Sequence, residues 1–301
     1  MKMPNFDPNH QPVLIHETLE YIAPKEGESI LDVTLGLGGH SKAFLERVGP
    51  SGSLTGVDAD SENLETASQS LSGFEGQTTF VHSNFQHLPA LGLGTFDIIF
   101  ADLGLSSPHL DNADKGFSIK HDGPLDMRFD RTSGITAAAM IKSLPEEELA
   151  DIFYLYGEIR QSRKLAAVLK TDLPTTTYEL SNSCEHVFAY KTSSFLPQVF
   201  QSLRIAVNSE LIALDVLLTD GPKMLNSGGR LGVISFHSLE DRAVKQMFKK
   251  LSTPEIDERT GAVSKESEFE LITRKAVKPT EKEVEENKRS RSAILRVLRK
   301  R

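Results

Sequence analysis

Short apolar runs alternate with helical stretches over the first hundred residues of this chain. Runs of strand length occur at residues 29–33, 53–57, 77–81 and 96–101. Apolar residues recur at helical spacing near residues 41–48 and 61–71, which lie between the first three runs. Strands that alternate with helices are typical of βαβ units, so this part of the chain is predicted to form a parallel sheet covered by helices.

The alternation stops near residue 110 and returns near residue 228. The intervening stretch is rich in helix-forming residues and has few strand candidates. After it, residues 228–236 are predicted to form a strand, 239–251 a helix and 293–298 a last strand. The polar stretch 253–268 is predicted to be a loop.

Length and composition are those of a globular protein with a large core. The chain has 301 residues, of which 39% are hydrophobic and 25% charged, so one large domain or two smaller ones are both plausible. The simplest interpretation is an α/β fold in which residues 1–110 and 213–301 build a Rossmann-like sheet. Residues 111–212 then form an inserted helical domain.

A glycine-rich turn follows the first predicted strand. Gly36 and Gly38 lie between a strand and the start of a helix, where glycines let a ligand approach main-chain N–H groups. A second strand delivers Asp58, whose carboxylate can accept hydrogen bonds from ribose hydroxyls at that spacing. A plain strand–helix connection is the alternative, and Ser41 breaks the strict G-x-G-x-x-G pattern. With Asp58 so placed, the turn is predicted to bind a nucleotide-type cofactor.

Asp102 ends the strand at residues 96–101 and leads into Ser106-Ser107-Pro108. Its carboxylate either contacts a cofactor or substrate amine, or caps the next turn. The serines and the proline are predicted to form a tight turn whose carbonyls and hydroxyls face the same space. Such a turn offers acceptors to an exocyclic amine.

Two further polar clusters carry candidate chemistry. Asp126 and Arg128 follow an Asp-Gly-Pro turn, and they either pair with each other or contact a substrate. His237 follows a predicted strand and could be an acid/base group, because its unperturbed pKa lies near neutrality. Ser238 is predicted to be the N-cap of the next helix, with Asp241 three residues on.

Net charge and cysteine content limit the partners and the cellular compartment that the sequence allows. A net charge of −8 argues against a general nucleic-acid coat, but residues 287–301 are basic, without an acid, and could meet phosphates. Cys184 is the only cysteine, so a reducing compartment fits, and no apolar run or signal-peptide core indicates a membrane or secretion. No histidine or cysteine cluster has zinc-ligand spacing, so no metal site is expected. We expect a cytoplasmic protein with no membrane partner.

Several motifs together resemble one family. They are His10-Gln11-Pro12-Val13-Leu14, the turn 32–41, Asp102-Leu103-Gly104-Leu105-Ser106-Ser107-Pro108, Asp122-Gly123-Pro124-Leu125-Asp126-Met127-Arg128, Phe200-Gln201-Ser202-Leu203-Arg204-Ile205 and Arg289-Ser290-Arg291-Ser292. On these residues the chain resembles, over nearly its whole length, the bacterial 16S ribosomal RNA cytosine-N4 methyltransferases (RsmH, formerly MraW). The resemblance implies a class I methyltransferase sheet, S-adenosyl-L-methionine as cofactor and a decoding-centre cytidine as substrate.

The resemblance also implies site residues. Carried over by motif, those that line the cofactor site are Gly38, Gly39, His40, Asp58, Phe85, Asp102 and His109. His109 stands where the family usually has glutamine. The candidate catalytic residues, which would accept hydrogen bonds from the substrate amine, are Asp102, Ser106, Ser107 and Pro108. We expect substrate contacts from Asp126, Arg128, Arg204, His237 and Arg291.

The expected reaction is direct, in-line methyl transfer to N4 of cytidine, which needs no cysteine adduct. The base would be splayed out of the RNA and stacked on Phe117 or Phe236. Two other functions stay open: an NAD-dependent dehydrogenase, which Ser41 disfavours, and a non-catalytic RNA-binding or ribosome-assembly protein. The expected partner is small-subunit ribosomal RNA or a ribosomal particle, and the sequence leaves the oligomeric state open, a homodimer included.

Overall fold

The computed structural model describes residues 12–257, 259–260 and 262–301. His10 and Gln11, which open the first motif named above, lie outside these ranges. The chain divides into two compact units: one extends to Gly104 and resumes over Ile212–Arg301, and the other spans Leu105–Leu211. In the part of the chain that is described, no helix combines the length and apolar character needed to cross a membrane.

The first unit is built on a seven-stranded sheet. The described strands are β1 (Ser29–Asp32), β2 (Ser53–Asp58), β3 (Thr78–His82), β4 (Phe96–Asp102), β5 (Leu225–Ser235), β6 (Glu255–Ile256), β7 (Val263–Lys265), β8 (Phe269–Leu271) and β9 (Ile294–Lys300). The sheet order is β3-β2-β1-β4-β5-β9-β8, with β1 to β5 parallel and β9 antiparallel to both neighbours. Because the order reverses between β1 and β4, the carboxyl ends of these strands flank a topological switch point.

Helices cover the sheet and form most of the second unit. The described helices are α1 (Ile15–Ile22), α2 (Gly39–Val48), α3 (Ser61–Ser70), α4 (Leu88–Leu91), α5 (Ser107–Asp111), α6 (Ala137–Ser143), α7 (Glu146–Gly157), α8 (Ser162–Asp172), α9 (Thr177–Phe188), α10 (Thr192–Asn208), α11 (Glu210–Asp220), α12 (Ser238–Ser252) and α13 (Glu281–Glu286). The predicted α/β class is confirmed. The loop predicted at 253–268 was wrong in part, because β6 and β7 pair there as a short antiparallel hairpin.

The central strands of the sheet are apolar because both of their faces are covered. Leu31 in β1, and Ile98 and Ile99 in β4, are fully buried. On one face, Phe44 of α2 packs edge-on against Phe100, with the ring centroids 5.2 Å apart. Continuous apolar runs are what a parallel sheet between two helix layers requires, so the sequence pattern and the packing have the same cause.

The second unit has its own hydrophobic core. Helix α7 packs against α8 and α10, and its buried residues Leu149 and Phe153 join Leu203 of α10 in this core. Cys184 of α9 is also buried there, and burial raises the pKa of its thiol to about 12. Since the thiolate is the nucleophilic form, Cys184 is unsuited to covalent catalysis at neutral pH.

A buried arginine ties α1 to the sheet. The Arg230 guanidinium donates to both carboxylate oxygens of Glu28, at 2.6 and 2.7 Å. It also donates to the carbonyl oxygens of Ile22 and Ala23, at 2.8 and 3.0 Å. These carbonyls belong to the last residue of α1 and the residue that follows it, where helical carbonyls lack partners. Arg230 therefore satisfies a helix end and an acid at once.

We predict that Arg230→Ala destabilises the protein by about 3 kcal/mol, because Glu28 and two carbonyls lose their partner in a buried site. Lys282→Ala is the control, since Lys282 pairs with Glu286 at 3.8 Å on an exposed helix surface. Its effect should stay within about 0.5 kcal/mol. Urea unfolding measures both free energies, and equal values for the two variants would contradict this role of Arg230.

Candidate functional site

Three aspartates end three neighbouring parallel strands of the first unit. Asp32 is the last residue of β1, Asp58 of β2 and Asp102 of β4, and β1 lies between the other two strands. Parallel strands present their carboxyl ends at one edge of the sheet. The three carboxylates are thus gathered where α/β sheets bind ligands.

The glycine turn between β1 and α2 is held by Asp58. The Gly36 main-chain N–H donates to Asp58 Oδ2 at 2.7 Å, and the Asp60 N–H donates to Oδ1 at 2.8 Å. The Asn63 side-chain amide also donates to Oδ1, at 3.4 Å, so this carboxylate is held in one orientation at the end of β2. The predicted contact of Asp58 with ribose stays a prediction.

Asp32 and Ser41 explain the departure from the glycine pattern. The Ser41 hydroxyl donates to Asp32 Oδ2 at 2.6 Å, and both side chains are buried. Burial raises the pKa of Asp32 to about 6, with a further contribution from the charge of Asp58, while the hydrogen bonds from Ser41 and Thr34 oppose the rise. A glycine at position 41 could not supply this hydroxyl, so the serine has a structural reason.

The turn leaves little space beside Gly38 and Gly39. Gly38 has a φ of +81° and a Cβ there would lie 3.3 Å from the Leu71 side chain. A Cβ on Gly39 would lie 2.7 Å from Pro12 Cγ. Helix α2 begins at Gly39, and the N–H groups of a first helical turn have no partner within the helix. A main-chain cradle at the start of this helix suits an anionic or polar ligand group.

Asp102 and His40 face each other at the end of β4. His40 Nδ1 lies 3.5 Å from Asp102 Oδ2. His40 Nε2 lies 2.9 Å from the carbonyl oxygen of Val13, and the ring packs against Phe100 with centroids 4.8 Å apart. The Asp102 main-chain N–H donates to Thr34 Oγ1 at 2.6 Å. Main-chain and side-chain contacts therefore fix both members of this pair.

The surroundings of Asp102 favour the protonated form of its carboxyl group. Burial raises its pKa well above the ordinary value, and the charges of Asp32 and Glu240 raise it further. Burial lowers the pKa of His40 to about 4, against a weaker opposing effect of the contact with Val13. Among the described residues, no hydrogen-bond partner reaches Oδ1 of Asp102, although this atom is buried. An acceptor is therefore left over at the strand end.

The N-cap of α12 lies one residue before its predicted place. His237 has the extended backbone of an N-cap, and its Nδ1 accepts from the Glu240 N–H at 3.4 Å. Glu240 Oε2 accepts in return from the Phe236 N–H at 2.8 Å. The prediction of Ser238 as N-cap was wrong, because Ser238 is already the first helical residue. His237 thus has a structural role, and its proposed contact with substrate stays untested.

Phe85 and Arg291 occupy short 3-10 turns of the first unit. Phe85 opens the turn that follows β3, and Arg291 is exposed in the turn that precedes β9. Part of the basic tail is already neutralised, since Arg296 donates to both carboxylate oxygens of Asp241, at 2.7 and 3.2 Å. Arg291 is accordingly better placed than Arg296 to meet a phosphate.

In the second unit, Ser106 and His109 cap α5. His109 Nδ1 accepts from the Ser106 N–H at 3.1 Å and lies 2.9 Å from the Ser106 hydroxyl. The carbonyls of Ser106 and Pro108 accept from the N–H groups of His109 and Asn112. The predicted tight turn at Ser106-Ser107-Pro108 is therefore the first turn of a short helix. The contact of its carbonyls and hydroxyls with the substrate amine stays a prediction.

His109 belongs to an aromatic cluster with Phe117 and Phe129. Its ring centroid lies 5.2 Å from that of Phe117 and 5.1 Å from that of Phe129, and the two phenyl rings stack at 5.6 Å. Phe117 is only 5% exposed. The prediction that Phe117 stacks on an extruded base was wrong, since its ring is packed inside the second unit. Phe236 is half-buried, and its role stays a prediction.

The predicted substrate residues of the second unit form ion pairs. Arg128 donates to both carboxylate oxygens of Asp126, at 2.7 and 3.0 Å, so the pairing alternative holds. Arg204 donates to both oxygens of Glu210 in the same manner, at 2.8 and 3.0 Å. Bidentate pairs of this kind hold a guanidinium in one orientation. Contact of these residues with a substrate stays a prediction.

Sequence reasoning missed two site carboxylates, Asp32 and Glu240. Asp32 ends its strand as Asp58 and Asp102 do, and that shared position was the available signal. Glu240 stands three residues after His237, which is the spacing of a capping box. Both acids raise the pKa of Asp102, so both belong to the electrostatics of the site.

Comparisons with known proteins agree over nearly the whole chain. The sequence model of the MraW methylase family matches residues 7–301. The chain is 42% identical to the ribosomal RNA small subunit methyltransferase H of Parabacteroides distasonis, over 97% of each chain. Among solved structures, NSun6 from Pyrococcus horikoshii matches at a TM-score of 0.46 and 13% identity, over 96% of this chain and 52% of that one. An rRNA methylase from Streptococcus thermophilus matches at a TM-score of 0.42 and 13% identity, over 95% of both chains.

We predict that Gly38→Ala weakens the binding of S-adenosylhomocysteine at least about tenfold, because its Cβ meets Leu71 and displaces the cradle. Gly76→Ala is the matched control, since Gly76 has a φ of +84° and open space beside it. Both variants should lose about 1–2 kcal/mol of stability to left-handed strain. Calorimetric titration reads the affinity and urea unfolding the stability. Equal affinities of the two variants would show that the cradle does not hold the ligand.

Proposed function

The chain belongs to the MraW methylase family, and from this premise we propose that it methylates N4 of one cytidine in the decoding centre of small-subunit ribosomal RNA. It is a methyltransferase whose cofactor is S-adenosylmethionine. The relative from Parabacteroides distasonis is named for methylation of the same RNA, which supports this choice of substrate. The NAD-dependent dehydrogenase and the non-catalytic assembly protein receive no support.

The residues at the strand ends fit this cofactor. A main-chain cradle at Gly38 and Gly39 is closed to side chains, as the approach of a ligand to the backbone requires. Asp58 ends β2 beside this cradle, where we propose that it contacts the ribose hydroxyls, and the carboxylates of Asp32 and Asp58 give the site negative charge that suits a sulfonium. We propose that Gly38, Gly39, His40, Asp58 and Phe85 hold the cofactor from the first unit. We propose His109 as a further cofactor contact.

The observation that carries the proposed chemistry is the buried, unpartnered Oδ1 of Asp102. When bound, S-adenosylmethionine supplies a methyl group that the positive sulfur activates for displacement. The amino group of cytosine is a poor nucleophile because its lone pair is delocalised into the ring. An acceptor that bonds one N–H holds this amine in place and favours a pyramidal nitrogen. Asp102 supplies that acceptor, and Cys184, buried in the second unit, is not required.

RNA is the proposed partner in spite of the acidic chain. Exposed basic residues such as Arg291 can contact phosphates locally, while the net charge of −8 disfavours unspecific binding. Either naked RNA or a ribosomal particle supplies the target base. The cytoplasm contains both, so we propose that the protein acts there. Light scattering on the purified protein distinguishes a monomer from a homodimer.

We predict that Asp102→Ala and Asp102→Asn lower the rate of methyl transfer at least about 100-fold while the protein stays folded. Asp215→Asn, which changes an exposed acid of α11, should leave the rate unchanged. Transfer is measured with radiolabelled cofactor on small-subunit RNA and on isolated subunits. Full activity of both Asp102 variants would remove this residue from the mechanism.

The position of the methyl group is tested separately. Small-subunit RNA from cells with and without the protein is digested, and the modified nucleosides are mapped by mass spectrometry. The proposed function predicts one N4-methylated cytidine that is present only when the protein is made. A methyl group on another base, or on carbon 5, would contradict the proposed target.

A further inference from the structure

The hydrogen-bond partner of His40 fixes the tautomer of its ring. The carbonyl oxygen of Val13, 2.9 Å from Nε2, can only accept a hydrogen bond. Nε2 therefore carries a hydrogen and donates it. In the neutral ring Nδ1 then carries no hydrogen, and its lone pair faces Oδ2 of Asp102 at 3.5 Å. Two atoms whose lone pairs face each other repel, unless a hydrogen lies between them.

The environments of the two side chains both favour Asp102 as the holder of that proton. Asp32 at the end of β1 and Glu240 of α12 are the acidic groups whose charges act on Asp102, and burial acts in the same direction. All three raise the pKa of Asp102, whereas burial lowers the pKa of His40 to about 4. At pH 7 the ring is neutral, and the contact of Nδ1 with Oδ2 at 3.5 Å places the hydrogen of Asp102 on the oxygen nearest the ring.

The second oxygen of this acid is then the acceptor. With Oδ2 protonated, Oδ1 is a carbonyl-type oxygen, and within the described residues it has no hydrogen-bond partner. A buried acceptor without a partner carries a desolvation cost. A donor from outside the chain would remove that cost.

We infer that His40 is a positioning residue for methyl transfer, which holds the hydrogen of Asp102 on Oδ2 and receives it at Nδ1 when the substrate amine gives its own proton to Oδ1. This inference rests on the proposed function. It adds a proton route to the acceptor role of Asp102, with a second residue that never contacts the RNA.

The proton transfers and the charges of the proposed reaction balance within these groups. N4 of cytidine forms a bond to the methyl carbon, and the electron pair of the broken carbon–sulfur bond returns to sulfur. N4 then gives one proton to Oδ1, and Oδ2 gives one proton to Nδ1. Asp102 ends as it began, a neutral acid, and His40 becomes an imidazolium. One positive charge thus disappears from sulfur and one appears on the ring, until water removes the proton.

The imidazole ring of His40 is held in one orientation, as proton transfer from Asp102 requires. His40 is only 6% exposed, and contacts with Val13 and Phe100 fix its plane. The distance of 3.5 Å is long for a hydrogen bond, but catalytic hydrogen bonds are often long before the ligands bind and shorten in the complex. His40 therefore needs only a small approach to Asp102 to receive the proton.

The test uses His40→Gln in the full-length protein. A glutamine amide can still donate to the Val13 carbonyl, but it is not a base and receives no proton. At pH 6 the single-turnover rate should fall about 100-fold. Once a higher pH ionises Asp102, its carboxylate accepts the amine proton directly, so the deficit should shrink, to less than about tenfold, when the pH is raised to 9. Residue 40 lies in the first turn of α2, and its main-chain N–H, which is the group proposed to hold the cofactor, is kept in the variant, so the affinity for S-adenosylhomocysteine should change little.

The matched control is His186→Gln. His186 Nδ1 also lies 3.5 Å from an aspartate oxygen, Asp172 Oδ2, but on the surface of the second unit. This variant should keep the rate and the pH profile of the wild type. If His40→Gln fails to fold, His40→Asn replaces it, since its amide likewise cannot take a proton.

A readout without cofactor or RNA completes the test. Nitrogen NMR of the free protein at pH 6 should show His40 neutral, with hydrogen on Nε2 and none on Nδ1. An imidazolium, or hydrogen on Nδ1 of a neutral ring, would overturn the inference. So would a rate deficit of His40→Gln that stays constant from pH 6 to pH 9. A wild type that labels no small-subunit RNA would instead refute the proposed function, which separates the two failures.

Discussion

The gathering of three carboxylates, two of them buried and the third partly so, at the ends of neighbouring strands is the constraint on which the site depends. A buried carboxylate needs hydrogen-bond donors or a proton of its own. Asp58 accepts the main-chain N–H of Gly36 in the glycine turn, Asp32 accepts the hydroxyl of Ser41, and Asp102 faces His40. The turn between β1 and α2 is therefore shaped by the acids around it as much as by its glycines.

Helix α2 links the cofactor cradle to the reacting acid. It begins at Gly39, so its first turn supplies the main-chain N–H groups, and the next two residues supply the side chains that reach Asp102 and Asp32. A shift of this helix start would change the cradle and the protonation of Asp102 together. The second unit, with its own core, carries the remaining predicted contacts on separate elements.

Much of this arrangement could be predicted from the sequence, and the failures have physical reasons. Apolar runs mark the parallel strands because both faces of the sheet are buried. The short hairpin of β6 and β7 has no such mark, since its described residues are exposed and polar patterning carries no signal there. The N-cap at His237 was missed because Ser238, beside it, is the stronger capping residue by type. Phe117 was assigned to a base because the sequence cannot show that its ring is already stacked.

The most direct measurement is a crystal structure with S-adenosylhomocysteine bound. The ligand should lie at the carboxyl ends of β1, β2 and β4, with its ribose at Asp58 and its sulfur on the side of Asp102. A ligand bound elsewhere, or one whose sulfur lies away from Asp102, would contradict the account of how these strand ends work.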